Sequence, residues 1–408
     1  MSIATTRRPR RALAIAGGIL TALVLSACGD PVEETGVTPE GEGSAGTESG
    51  ETDPIKIGAV LDITGAGASL GVPERDTLEL LAEQLNEDGG IDGREVELLI
   101  EDNQSTEDGA ATAASKLIDQ EQVDILLGAS RTGPSLAMRP LAEAAELPMI
   151  SMAANAAIVD GSEWVFKSAQ NDRVVIENII EYSAAQGWTT IGLARDASGF
   201  GEGIEEMLNE IGTEQGVSVI ATESFAPDAT DFTAQMVNLR DAAADAYLIW
   251  GIPPAAGLAQ EAYRQLEIDA PVMQSHGIGN QVFLDTAGAS ADGLVAPLGR
   301  LVVADQLPDD DPQAEVIQAF VAQYQEAYGE NPSTFAGHAY DAFQLAVDAI
   351  TEVGTDPAAL RDHLEQVDGF VGISGVFTMS PEDHSGLTKD ALVLVTVEDG
   401  SFTLLDEG

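Results

Sequence analysis

Four consecutive residues, Ser130-Arg131-Thr132-Gly133, carry the clearest chemistry in this chain. They follow the apolar run Val123–Gly128 and lead into Pro134 and Ser135, so a strand ends and a helix begins there. Thr132 is placed to cap that helix through its hydroxyl. The free first-turn amides and the positive end of the helix dipole then make a seat for an anion, with Arg131 beside it. The alternative is a structural cap with no ligand. Ser151-Met152-Ala153-Ala154-Asn155 closes the next apolar run and offers a second polar lip. Three later runs end on Ser198-Gly199-Phe200-Gly201, Trp250-Gly251-Ile252 and Ser275-His276. Ligands of open α/β sheets bind beyond the carboxyl ends of strands, which makes His276 a candidate contact. His338 reads as a packing or capping residue on a helix, and His363 and His384 as solvated. The four have no metal-like spacing, so no metal site is expected.

Other chemistries find no support. Gly65, Gly67 and Gly71 miss the dinucleotide fingerprint by one residue and read as a loop that approaches a ligand or a facing lobe. The sequence has no phosphate loop, no H-E-x-x-H and no G-x-S-x-G elbow, so neither an enzyme nor a cofactor is expected. Glu202, Glu205 and Glu206 read as a solvated helix face. Cys28 is the single cysteine, which excludes a disulfide framework and a cysteine metal site. The 408 residues hold 18 Lys+Arg against 69 Asp+Glu, a formal charge of −51 that would repel a nucleic-acid backbone. A hydrophobic share of 44% can still supply the cores of two or three domains.

The elements that must position these residues alternate. Ile55–Leu61 is a strand, and Pro73 suits the first turn of a helix whose face carries Leu78, Leu81, Ala82 and Leu85. Strand Val96–Glu101, a helix over about 106–121, strand Val123–Gly128, a helix over about 134–146 and strand Met149–Ser151 complete one series. A second series starts after Asp172, with strands at Thr190–Arg195, Val217–Phe225, Asp245–Gly251 and Pro271–Ser275 separated by helices. Alternation of this kind predicts parallel sheets covered on both faces. The last hundred residues differ: three helices over about 312–328, 335–353 and 357–366 precede β segments at Gly375–Thr378, Ala391–Val397 and Ser401–Leu405. The middle helix packs through Phe343, Ala346, Val347 and Ile350. A chain that crosses between two lobes several times accommodates these helices best.

The amino terminus reads as an address. Arg7-Arg8-Pro9-Arg10-Arg11 precedes sixteen uncharged residues, Ala12–Ala27, too few to span a bilayer core of ~30 Å. This is the pattern of a secretory signal peptide, and Leu25-Ser26-Ala27-Cys28 resembles the bacterial lipobox, in which cleavage precedes a lipidated cysteine. Residues 29–53 contain eight acids and six glycines and no Lys, Arg or aromatic residue, which reads as an acidic tether.

Several stretches together resemble the leucine/isoleucine/valine-binding protein family: Ile55-Lys56-Ile57-Gly58-Ala59, Asn86 with Gly89-Gly90-Ile91-Asp92-Gly93-Arg94, Glu101-Asp102-Asn103, Lys116-Leu117-Ile118, Leu147-Pro148-Met149-Ile150-Ser151 and Tyr340-Asp341-Ala342. The resemblance covers nearly everything from Ile55 onward. It implies the type I periplasmic-binding fold: two α/β lobes, each a mainly parallel sheet covered by helices, with three hinge crossings and a ligand clamped between. On that template residues 1–27 are the signal peptide and 28–53 the tether. One lobe takes 54–172 plus 301–373, and the other takes 174–299 plus 375–408. The implied function is an extracytoplasmic, membrane-anchored binding lipoprotein of an ABC importer that takes a branched-chain amino acid or related small carboxylate between its lobes, a monomer that works with permease subunits. The implied ligand contacts are Ser130, Arg131, Thr132, Ala153 and Asn155 for a carboxylate, with Leu70, Phe200, Gly251 and Tyr340 at positions that are commonly aromatic. His276 stands where amino-acid binders often carry an acid for the α-ammonium. Its presence, with Arg131, favours an acid lacking that ammonium, although Asp62 could supply the missing charge. A ligand-sensing module without a transport role is the alternative, and adjacent permease and ATPase genes would separate the two. If Cys28 carries lipid, the wild-type protein partitions with membranes and detergent, and Cys28→Ser becomes soluble or stays unprocessed. Equal membrane association of the two would contradict the anchor.

Overall fold

The structure, a computed structural model, describes residues 53–405; the signal peptide, nearly all of the tether and Cys28 lie outside the described residues. In chain order, β1 (Ile55–Leu61), α1 (Ala68–Glu87), β2 (Val96–Asp102), α2 (Glu107–Lys116), β3 (Ile125–Gly128), α3 (Thr132–Ala145), β4 (Met149–Ser151) and β5 (Val165–Lys167) build the first lobe. Its sheet is parallel throughout, in the order β2-β1-β3-β4-β5. The near-continuous apolar run of β1 has a direct cause. Ile55, Ile57, Ala59 and Leu61 enter one helix-covered core, and Val60 enters a second core on the opposite face. Gly58 faces that second core so closely that a Cβ would meet Val123 at 3.0 Å.

The second lobe follows with α4 (Asp172–Ala185), β6 (Thr190–Asp196), α5 (Ile204–Gln215), β7 (Ser218–Phe225), α6 (Thr233–Ala242), β8 (Ala246–Trp250), α7 (Ala255–Gln265), β9 (Val272–Gln274), α8 (Gln281–Ala287) and β10 (Val295–Gly299). The chain then supplies α9 (Ala314–Tyr328), α10 (Thr334–Val353), α11 (Pro357–Leu364), the antiparallel pair β11 (Asp368–Val371) and β12 (Val376–Thr378), and finally β13 (Leu392–Glu398) and β14 (Ser401–Leu404). The second sheet runs β14-β13-β10-β9-β8-β6-β7, parallel from β10 to β7 and antiparallel at the β13 and β14 edge. Its strands split between two cores as well: Tyr247 and Ile249 enter one, Leu248 and Trp250 the other.

The α/β class and the two-lobed architecture follow the sequence reading, with local differences. Three strands escape the sequence reading: β5 because it is only three residues long, β10 because Pro297 interrupts its apolar run, and β11, a short exposed strand after α11. Pro73 sits inside α1, not in its first turn. It leaves the Ser69 carbonyl without its helical donor, and the Asn280 side-chain amide reaches that oxygen at 3.4 Å. The third crossing lies between Ala391 and Leu392, later than the 373–375 boundary implied by the family template. Phe377, Met379, Leu387 and Ala391 remain in the first lobe's core with Phe343 and Leu364, and Leu392 enters the second lobe's core. At that boundary Gly372–Ser374 is held by first-lobe side chains: Asp341 accepts the Ile373 and Ser374 amides at 2.7 Å and Gln313 donates to the Gly372 carbonyl at 2.8 Å. Because Phe377 is fully buried in the first lobe, Phe377→Ala should lower stability by about 3–5 kcal/mol in a urea titration. A loss within 1 kcal/mol would mean that β12 does not close this core.

Candidate functional site

Both sheets turn the carboxyl ends of their parallel strands toward a common cleft, where the lobes touch. Ser69 Oγ donates to the Pro253 carbonyl at 3.0 Å, and the Asn155 side-chain amide donates to the Gly199 carbonyl at 3.0 Å. A cavity of about 40 Å³ lies between the lobes. At ~10–15 Å³ for one water-sized sphere, this space suits a compact ligand. Its first-lobe wall comes from Ser130, Arg131 and Thr132 after β3, Met152, Ala153 and Ala154 after β4, Ala169 after β5, and Leu70 of α1. The second lobe contributes Ser198 and Phe200 after β6, Ile252 after β8, and His276 and Gly277 after β9. Phe335 and His338 arrive from α10.

The anion seat takes a different form from the predicted cap. Arg131 is the extended residue before α3, with φ −126° and ψ 160°, and Thr132 is the first helical residue. No side chain caps the helix, and the buried Thr132 hydroxyl has no partner among the described residues. Arg131 is already engaged. Its Nε pairs with Asp62 Oδ2, and its Nη2 donates to the Ser105 carbonyl at 2.6 Å. Asn103 donates to the other Asp62 oxygen at 2.6 Å. Arg131 therefore brings no unpaired charge to a ligand, and Asp62 is not free to receive an ammonium. Ser130 is occupied too, donating to Glu74 and accepting the Asp62 amide at 3.0 Å. Gly67 and Gly71 close over Asp62, where a Cβ would lie 2.3–2.4 Å from it. Between them, Ser69 and Leu70 reach toward the facing lobe.

Across the cavity, His276 is 5% exposed; its Nε2 lies 3.9 Å from Asp172 Oδ1, and its Nδ1 has no partner among the described residues. The ring packs edge-on against Phe200 and Trp250. Behind this wall are Asp172, fully buried, and Lys167, also fully buried, whose ammonium donates to the Ala154 carbonyl.

Three predicted contacts stand apart from the cavity. Asn155 spends its side chain between the lobes and on the Ala157 amide. The Gly251 carbonyl accepts from Ser275 Oγ at 3.2 Å, and its neighbour Ile252 supplies the apolar surface. Tyr340 points away and packs against Phe320 with ring centroids 4.9 Å apart. Leu70, Ser130, Arg131, Thr132, Ala153, Phe200 and His276 do converge. Sequence reasoning missed His338 and Phe335, whose helix is remote in sequence, although the helical period places both on one face with Ala342. His384 is buried and stacked on Phe166 at 4.1 Å, with Nδ1 3.0 Å from the Val165 carbonyl, and is not solvated.

The periplasmic binding protein family matches residues 54–401 of this chain. The chain belongs to this family. Within it, the resemblance to leucine/isoleucine/valine-binding proteins is borne out. A leucine-, isoleucine-, valine-, threonine- and alanine-binding protein of Pseudomonas aeruginosa is 26% identical over 317 residues, 76% of this chain and 82% of that one. An extracellular ligand-binding receptor from Rhodopseudomonas palustris HaA2 superposes with a TM-score of 0.81 at 29% identity, covering 86% of this chain and 99% of that one. A branched-chain amino acid transporter substrate-binding protein from Streptococcus pneumoniae, solved with isoleucine, gives 0.75 at 25% identity over 86% and 98% of the two chains. The fold is thus the type I periplasmic-binding fold, and the role of this binding protein is to bind a solute.

Burial governs the titration of the binding protein's cleft. It pushes the His276 and His338 imidazoles down to about 3, with the Lys167 charge adding to the effect, so both are neutral at pH 7. Burial raises Asp172, which Lys167 opposes, and raises Asp196 and Glu74 against their hydroxyl hydrogen bonds. It also lifts Asp341 to about 7. The signs oppose one another. An unfolded histidine takes its proton near pH 6.5 and the folded one only near 3, so acid costs stability from about 6.5 downward. The raised Asp341 keeps its proton up to about 7, so its contribution falls as pH rises from about 3.8 to 7. Replacing His338 isolates the first term. Between pH 7 and pH 5 the wild type should lose about 2 kcal/mol more stability than His338→Gln, read by urea titrations at both pH values. Parallel losses would show that His338 titrates normally in the folded protein.

Proposed function

We propose that this protein is the binding component of an ABC importer, held outside the cytoplasm by lipid on Cys28, and that its ligand is a small carboxylate without an ammonium. The observation that supports the ligand class is the cavity's inventory. None of its lining residues is acidic. Asp62 is paired with Arg131, Asp172 lies behind the His276 ring, and Asp196 accepts from Ser198. An α-ammonium buried here would meet neutral imidazoles and apolar side chains, an unfavourable exchange for its water. A carboxylate instead meets the amino-terminal end of α3 at Thr132, whose hydroxyl has no partner among the described residues, and its apolar body meets Leu70, Phe200, Ile252 and Phe335. The ligand belongs to the deaminated counterparts of the branched-chain amino acids, close in shape to what the relatives named above bind.

A thermal-shift panel decides the class. Ligand at 100 times its Kd adds ~2.7 kcal/mol of stability, which is easily read as a rise in Tm. The 2-oxo and 2-hydroxy counterparts of leucine, isoleucine and valine should shift the melting curve more than the amino acids do. Thr132→Ala should weaken carboxylate binding about tenfold or more, since hydrogen bonds to charged groups contribute ~1.5–3 kcal/mol. The reading fails if the amino acids stabilise the protein and the deaminated acids do not.

A further inference from the structure

Two imidazoles belong to the cavity wall, and they are held differently. In His276 the Nδ1 atom is sealed in the protein without a partner, and Nε2 lies 3.9 Å from Asp172. His338, on α10, is fixed at one nitrogen and free at the other. Its Nδ1 shares a hydrogen bond of 2.9 Å with Ser374 Oγ. That serine is anchored through its backbone: the amide donates to Asp341 Oδ2 at 2.7 Å, and the carbonyl accepts from the Gln170 side chain at 2.7 Å. Phe335 meets the ring edge-on, with centroids 6.0 Å apart. The His338 Nε2 has no hydrogen-bond partner among the described residues, yet it is not sealed as His276 Nδ1 is, and the residue lines the cavity. The imidazole is neutral at pH 7, so Nε2 carries either a proton or a lone pair. Both forms leave one unused hydrogen-bonding capacity. The other polar side chains of the wall are already engaged. Ser130 and Arg131 are taken by Glu74, Asp62 and the Ser105 carbonyl. Ser198 Oγ donates to Asp196 at 2.6 Å and accepts the Phe200 amide at 3.2 Å.

We infer that His338 is a ligand-contacting residue whose Nε2 hydrogen-bonds the oxygen on carbon 2, so that the binding protein selects 2-oxo and 2-hydroxy acids over unsubstituted acids of the same skeleton. The selection rests on the carboxylate reading of the site. With the carboxylate at the amino-terminal end of α3, the substituent on carbon 2 is the ligand's only other polar group. A cavity of about 40 Å³ has room for about three water-sized spheres, so a ligand seated there keeps no atom far from Nε2. An Nε2–H donates to a 2-oxo oxygen, and a bare Nε2 accepts from a 2-hydroxyl. An unsubstituted acid places a methylene at carbon 2 and leaves the nitrogen desolvated and unpaired. Because Ser374 already fixes the ring, little of the new bond is lost to ordering the side chain.

The test has two independent arms. Calorimetric titration with 2-oxoisovalerate, racemic 2-hydroxyisovalerate and isovalerate compares three acids on one carbon skeleton. The tighter of the two substituted acids should bind about tenfold better than isovalerate or more, a difference of ~1.4 kcal/mol. His338→Leu should bring all three within about threefold of one another, and His338→Gln, whose amide can donate or accept, should restore part of the gap. A ring with a merely structural role would, once replaced by Leu, weaken the three acids alike. That result, or a wild type that binds isovalerate as tightly as the others, overturns the inference. The second arm needs only the wild type as a binder: the nitrogen-15 shift of His338 Nε2, assigned by comparison with His338→Gln, should move when ligand saturates the cleft. An unmoved Nε2 overturns the contact even if the Leu variant does not fold. If leucine binds and none of the acids does, the carboxylate reading falls and the selection at carbon 2 with it, while the Nε2 shift measured with leucine still decides whether His338 touches the ligand.

Discussion

Burying a parallel sheet on both faces leaves its residues one way to reach a ligand, and the site depends on that constraint. Every strand side chain of β1 that alternates into a core is committed to a helix, on one face or the other. Polar chemistry is displaced to the first few positions after each strand: Asp62 after β1, Asn103 after β2, Ser130 to Thr132 after β3, Ser198 after β6 and His276 after β9. Two sheets facing each other carboxyl edge to carboxyl edge turn these short segments into a cavity wall. Function in this chain is therefore concentrated in the short segments that follow the strands.

This is also why so much of the site can be read from the residues in order. An apolar run followed by Ser-Arg-Thr or by Ser-His announces both the strand and its polar edge, and Thr132 and His276 follow from that grammar. Phe200 follows from the same grammar through Ser198-Gly199-Phe200; Leu70 rests on the family resemblance, and so does Tyr340, whose ring serves a helix-packing cluster with Phe320. His338 and Phe335 obey no strand-end rule because a central helix carries them into the cleft from a late crossing. The third crossing itself was hidden for a similar reason. Val376–Thr378 looks like any strand, and the burial of Phe377, Met379 and Leu387 in the core with Phe343 keeps it with the first lobe. Arg131 and Asp62 were visible as charges, but their pairing with each other depends on a bend over Gly67 and Gly71 that spacing does not encode.

The cleft also shows how an extremely acidic chain presents a neutral interior. Charge is present behind the wall, yet it is consumed before it reaches the ligand. Arg131 is neutralised by Asp62, the Lys167 ammonium is turned onto the Ala154 carbonyl, and both imidazoles are held uncharged by burial. What remains in the cavity wall is uncharged: Ser198 and Thr132, two neutral imidazoles and apolar side chains. Dipoles fixed in a dry wall discriminate by donor and acceptor pattern, where a free charge would attract any counter-ion.

The proline in α1 gives this design a mechanical side. Because Pro73 cannot supply an amide, the Ser69 carbonyl is completed by Asn280, a residue of the opposite lobe, and the neighbouring Ser69 hydroxyl reaches Pro253 of that lobe as well. Two hydrogen bonds at a single residue, one made possible by a missing backbone amide, thus tie a first-lobe helix to the facing lobe.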